Sequence, residues 1–172
     1  MSLGRILHAG CGGSALPEFL SRRGYNEVRL DIDPASKPDV VASLTDMGEI
    51  GEFDAVWCSH CVEHLYPDDV RTALSEIHRV TKDGGYAMVV VPDLEGVTAT
   101  DEVLCESPIG PLTGLDLIYG CRFDRHRPYM AHHSGFVSGT LEAAMRDAGF
   151  DAVTMKRLPQ YNLMAVGQKG SV

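Results

Sequence analysis

Short apolar runs alternate with amphipathic stretches along this chain, and most runs break at glycine, proline or a carboxylate. Ile6-Leu7-His8-Ala9 stops at Gly10-Cys11-Gly12-Gly13, and Leu16, Phe19 and Leu20 follow. That order predicts a strand, a tight turn and a helix closing at Gly24. Glu27 to Ile32 reads as a second strand ending among the carboxylates of Asp31 and Asp33. Asp39 to Ala42 reads as a third, but only Pro34 to Pro38 separates the two. A parallel crossover takes about a dozen residues, so an extended link without a helix and a short third strand at the sheet edge are expected. Phe53 to Cys58 is the fourth strand. Pro67 then opens a helix whose first turn carries Asp68 and Asp69, where carboxylates face the exposed N–H groups. Val70, Ala73, Leu74, Ile77 and Val80 share one face of it, and Gly84-Gly85 is expected to end it. Tyr86 to Val91 is apolar enough for a central strand covered on both faces. Leu141, Ala144, Met145 and Ala148 mark a helix stopped at Gly149, and Ala152–Met155 and Leu163–Val166 supply the sixth and seventh strands.

Strands alternating with helices predict the α/β class, a mostly parallel sheet with helices on both faces. The expected organisation is a single domain over residues 1–172. Periodicity fails over 94–133, which is read as an insertion or lid where substrate specificity resides.

Composition narrows the partners. With 44% hydrophobic and 23% charged residues the 172-residue chain has the make-up of a water-soluble globule. Its formal charge of −9 repels a phosphate backbone, so nucleic acid is not expected as a partner. No signal-peptide order and no long apolar run occur, which leads to the expectation of a cytoplasmic protein without membrane attachment. Five cysteines, an odd number scattered along the chain, suit reduced thiols rather than a disulfide framework.

The glycine turn brings backbone N–H groups close to a ligand at a strand's carboxyl end, and a carboxylate about 20 residues later suits ribose hydroxyls. A nicotinamide-dependent oxidoreductase shares that plan, yet Gly10-Cys11-Gly12-Gly13-Ser14 lacks the third glycine of a dinucleotide fingerprint. Leu7-His8-Ala9-Gly10-Cys11-Gly12, Asp31-Ile32-Asp33-Pro34 and Phe53 to Leu65, including Ser59-His60-Cys61-Val62-Glu63-His64, together resemble the class I S-adenosylmethionine (SAM)-dependent methyltransferases of the small single-domain type. The likeness covers most of residues 5 to 93 and resumes near 134.

The resemblance implies a Rossmann-like seven-stranded sheet whose last strand is antiparallel. It implies SAM as cofactor, S-adenosylhomocysteine as product, and methyl transfer to a small-molecule acceptor. It places the methionine portion of SAM at His8, Ala9, Gly10, Cys11 and Gly12, and the ribose at Asp31. Adenine is placed near Ile32, Ser43 and Leu44, and the methyl beside Ser59 and His60. His8 stands where most relatives carry an acid, and Ser43 where many carry Asp. These departures favour, as the alternative reading, a catalytically silent SAM-binding module or partner subunit.

His60 and His64 are the candidate general bases, since imidazole titrates near neutrality; the plainer role for His64 is to orient its loop. A basic cluster, with Tyr119, Arg122, Arg125, Tyr129, His132 and His133 as the candidate substrate residues, would favour an anionic acceptor if it folds over the strand ends. No metal is expected. Cys58, Cys61 and His64 have the chemistry of zinc ligands, but no second ligand pair follows at finger-like spacing. His126, His132 and His133 lack a carboxylate at fixed helical spacing. The first strand begins almost at once, without the leading helix many relatives lay across the sheet, which leads to the expectation of a homodimer that covers the exposed face.

Overall fold

Residues 4–120 and 128–171 are described by a computed structural model. Seven strands form one sheet: β1 (Arg5–Ala9), β2 (Asn26–Asp31), β3 (Val40–Val41), β4 (Phe53–Ser59), β5 (Thr81–Pro92), β8 (Ala152–Leu158) and β9 (Asn162–Gln168). Their spatial order is β3-β2-β1-β4-β5-β9-β8. β9 runs antiparallel to both neighbours and every other pairing is parallel. Chain order reverses at β1, so a crevice opens at the carboxyl ends of β1 and β4, where ligands bind in open α/β sheets. The predicted class and the antiparallel last strand are both present.

Successive side chains of a strand point to opposite faces, and the two cores divide along that rule. Leu7, Ala9, Val56, Cys58, Val89 and Val91 pack on one face under α2 (Pro67–Val80) and α4 (Ser138–Asp147). Ile6, Ala55, Trp57, Met88 and Val90 pack on the other, with Leu20 of α1 (Glu18–Ser21). The helix expected to close at Gly24 is therefore a single turn, with Phe19 set edge-on to Trp57 at 5.9 Å between centroids.

The link between β2 and β3 is short, as expected, but carries one 3-10 turn at Pro34–Ser36 where no helix was predicted. Asp33 makes it by accepting from the Ala35 N–H at 2.9 Å. The end of α2 also differs. The helix stops at Val80, and Thr81 is already extended, its hydroxyl donating to the Ile77 carbonyl at 2.7 Å. Gly84-Gly85 instead lie inside β5, where register with β4 shifts between Phe53 and Ala55. A Cβ at Gly85 would stand 2.8 Å from the Lys82 carbonyl oxygen, so glycine there serves a bulge rather than a helix stop.

Residues 94–120 hold a separate hairpin, β6 (Val103–Ser107) with β7 (Gly110–Thr113), and α3 (Gly114–Tyr119). Thr113 caps α3 through a reciprocal pair with Asp116. Among the described residues no helix is long and apolar enough to cross a membrane.

Candidate functional site at the strand tips

The turn after β1 is tightly held. The N–H groups of Gly10 and Cys11 both donate to the Leu30 carbonyl of β2, at 2.8 and 3.0 Å. Gly10 has φ +65°, and a Cβ there would overlap Cys61 Sγ. Both facts require glycine. Gly12 has φ +47°, but no atom stands within 4 Å of a Cβ built on it, so that end of the turn faces open space. Asp31 spans the opening: its Oδ2 accepts from the Gly12 N–H at 2.7 Å and its Oδ1 from the Asp33 N–H at 2.8 Å. A carboxylate offers about four acceptor positions, which leaves room for two hydroxyls. Beside it Ile32 is half exposed, an apolar surface at the lip of the crevice.

The two departures resolve differently. The imidazole of His8 is buried, its Nδ1 2.9 Å from Glu27 Oε1. Burial pushes its pKa down, with Glu27 pulling partly back. Next to that pair Arg29 donates to the carbonyls of Gly12, at 2.9 Å, and Ser14, at 2.8 Å. Glu27 and Arg29 were not singled out in the sequence, although their two-residue spacing puts both on one face of β2. Ser43 bonds Thr45 Oγ1 at 2.8 Å, and Leu44 packs on the core beneath.

Ala9 and Cys11 are fully buried, so only their backbone is available to a ligand. The Cys61 thiol is held well above its usual pKa by hydrogen bonding with Cys58 and by burial, and it donates to the Gly10 carbonyl at 3.3 Å. Cys11, Cys58, Cys61 and Cys105 are free thiols.

At the tip of β4 a second constellation forms. Ser59 ends the strand, and His60 follows with φ +54°, a strained conformation for a residue with a Cβ. Its Nδ1 lies 3.3 Å from Glu63 Oε1. Burial disfavours the imidazolium, but Glu63, assisted by Asn162, outweighs it and raises the His60 pKa. Glu63 is only 1% exposed, and neither carboxylate oxygen has a hydrogen-bond partner among the described residues. Its backbone carbonyl accepts from the N–H groups of both His133 and Ser134, at 2.9 and 3.0 Å. The far end of the 94–133 segment is thereby fastened against the loop after β4.

That docking delivers two of the substrate candidates. His132 packs edge-on to His64 with centroids 4.9 Å apart, and His133 stacks on Tyr66 at 4.2 Å. Burial lowers the His132 pKa. Tyr119 and Tyr129 are exposed instead. Arg122 and Arg125 lie outside the described residues, as do His126 and Arg127.

Residues 7–89 match a family model described as a methyltransferase domain. Over that stretch the chain is similar to methyltransferases. The chain is 36% identical over 100 residues to the ubiquinone biosynthesis O-methyltransferase of Dechloromonas aromatica, a match covering 47% of the chain and 41% of that relative. The Pseudomonas aeruginosa protein of the same name is 31% identical over 99 residues, again 47% of the chain and 41% of the relative. The match thus spans less than half of these curated relatives. Among solved structures, a SAM-dependent methyltransferase from Methanosarcina mazei has a TM-score of 0.70 at 18% identity, covering 100% of this chain and 95% of that one. The 1,6-didemethyltoxoflavin-N1-methyltransferase of Burkholderia thailandensis, with 1,6-didemethyltoxoflavin and S-adenosylhomocysteine bound, has a TM-score of 0.64 at 15% identity, covering 98% of this chain and 72% of that one. At such identities the structural likeness speaks for the fold alone.

Proposed function

We propose that this chain is a methyltransferase that binds SAM in the crevice between the glycine turn and Asp31 and transfers its methyl group to a small-molecule acceptor. The observation that carries the reading is the opening at Gly12, bounded by Asp31 with acceptor positions to spare and by half-exposed Ile32. Ribose hydroxyls fit the carboxylate, adenine fits the apolar lip toward Ser43 and Leu44, and the methionine end lies along His8 to Gly12, against backbone rather than the His8 side chain. The clamp of Arg29 on two turn carbonyls does the work of fixing the loop that relatives assign to an acid.

The transfer is an in-line displacement. A lone pair of the acceptor forms the new bond to the methyl carbon, the carbon–sulfur bond breaks, and the electron pair stays on sulfur as the neutral thioether of S-adenosylhomocysteine. The protein supplies alignment and exclusion of water. His60, at the tip of β4, is the group placed to receive the acceptor's proton; His64 is committed at Nδ1 to the Ala131 carbonyl at 3.1 Å and orients the loop. An anionic acceptor remains the preferred class, on the strength of the arginines between Gly120 and Pro128.

Calorimetry with SAM, S-adenosylhomocysteine and NAD tests the cofactor, followed by methyl transfer from labelled SAM across acidic, neutral and basic acceptors. SAM binding without turnover on any acceptor favours the silent module; preference for NAD overturns the reading.

A further inference from the structure

Glu63, His64 and His132 bring one carboxylate oxygen and one nitrogen from each imidazole within 4.8 Å of one another. We propose that these three side chains bind a divalent first-row transition ion such as Zn²⁺, reversing the expectation of no metal. The carboxylate that His132 lacks in sequence is supplied by the fold, from a loop about 70 residues earlier in the chain.

Three further observations support the site. Glu63 is buried with neither oxygen hydrogen-bonded among the described residues and with the half-exposed His60 ring 3.3 Å from Oε1, and a buried carboxylate is costly unless cations meet it. The two imidazoles are oriented from behind: His64 Nδ1 meets the Ala131 carbonyl at 3.1 Å and His132 Nδ1 the Leu117 carbonyl at 3.0 Å. A carbonyl only accepts, so each Nδ1 carries the proton and each Nε2 keeps a free lone pair. Donation of the second ring N–H to a backbone carbonyl is the usual support of a metal-bound histidine. Finally, the fold spends backbone bonds on the juxtaposition, since Glu63 O receives both His133 and Ser134.

Ligands about 2.1 Å from one tetrahedral ion stand roughly 3.4 Å apart, so closing the present spacing takes side-chain rotations of about 1 Å. Two histidines and one carboxylate leave a coordination position open, the pattern of catalytic rather than structural zinc. Its role in chemistry rests on the methyl-transfer reading: an acceptor hydroxyl entering that position would release its proton to solvent or His60 and attack as an oxyanion. Binding of the ion does not depend on that reading.

The test uses the full chain without a histidine tag, stripped of metal and titrated with Co²⁺ by calorimetry and visible absorption. One ion per chain is expected, with ligand-field bands and no thiolate charge-transfer band, which separates this site from Cys58 and Cys61. His132→Ala and Glu63→Gln should each weaken binding at least ten-fold. Zn²⁺ should raise the melting temperature of the wild type and leave Glu63→Gln unmoved. Absent or substoichiometric binding, a thiolate band, or unchanged affinity in both variants overturns the proposal. Should Glu63→Gln fail to fold, the wild-type spectrum and His132→Ala decide. SAM titrations of the same proteins keep the readings apart: SAM bound without metal removes the ion alone, and metal bound without SAM removes the cofactor assignment alone.

Discussion

At the tips of β1 and β2 the site is made of residues adjacent in sequence, whereas at the tips of β4 and β5 it is assembled from pieces far apart. The glycine turn and Asp31 belong to two consecutive strands, and Gly10, Cys11 and Leu30 lock them by backbone bonds. The histidine cluster joins a loop at 60–64, the end of α3 through the Leu117 carbonyl, and the stretch 131–134. On the proposed assignment a local site tolerates little substitution, because each residue serves both the turn and the ligand. An assembled site concentrates its burden in the contacts that dock the pieces.

Gly10→Ala is the harshest way to break that comparison. It places a Cβ against Cys61 Sγ and forces a left-handed φ on an L-residue. Strain of about 1–2 kcal/mol adds to overpacking of about 1–3 kcal/mol, so a loss near 3 kcal/mol is expected in urea unfolding. Gly12→Ala, at a left-handed φ but with open space around it, should lose only the strain of about 1–2 kcal/mol and act on SAM affinity besides; equal losses at both glycines would remove the distinction between the packed and the open end of the turn.

Asp31→Asn comes next and acts on the ligand. Removing a charged acceptor of ribose hydroxyls costs roughly 1.5–3 kcal/mol, or about ten- to hundred-fold in SAM affinity by calorimetry. The amide keeps one oxygen for the Gly12 N–H, so the fold should survive. Unchanged affinity sinks the ribose assignment.

The contrast also explains what could be read in the sequence. The succession of the sheet's strands along the chain, the glycine turn and Asp31 follow from apolar periodicity and local motif spacing, both of which act over a few neighbouring residues. Arg29 escaped because its partners are carbonyls of Gly12 and Ser14, and a backbone acceptor leaves no mark on residue type. Glu63 was visible in the motif, but its burial, and its meeting with His132, depend on where the 94–133 segment docks. Gly84-Gly85 misled because glycine marks both a helix stop and a strand bulge, and only the pairing of β4 with β5 separates them.

Ser134→Ala tests the docking of the assembled half. The hydroxyl donates to the Leu65 carbonyl at 2.7 Å, a bond partly shielded from water. Its loss should lower stability by about 1 kcal/mol and leave SAM affinity unchanged. A drop in SAM affinity would mean that the two ends of the strand row are coupled rather than built independently.

The smallest effect concerns pH and returns to His8. Burial lowers its pKa in the folded chain despite Glu27, so the folded state takes up that proton less readily than the unfolded state. Above the unfolded value of about 6.5 both states are neutral at His8 and it contributes no pH dependence. As pH falls below that value the unfolded chain is protonated first, and stability declines until the folded pKa is passed, where the decline levels off. Burial also lowers His78 and His132, and His60 is raised with the opposite sign, so the wild-type curve alone mixes several residues. The informative quantity is the stability of wild type minus His8→Gln, followed by urea unfolding from pH 8 downward. That difference should stay flat to about 6.5 and then fall in the acid direction. A difference that rises instead would mean that His8 is carried as the imidazolium against Glu27, making the support beneath the glycine turn an ion pair rather than a neutral hydrogen bond.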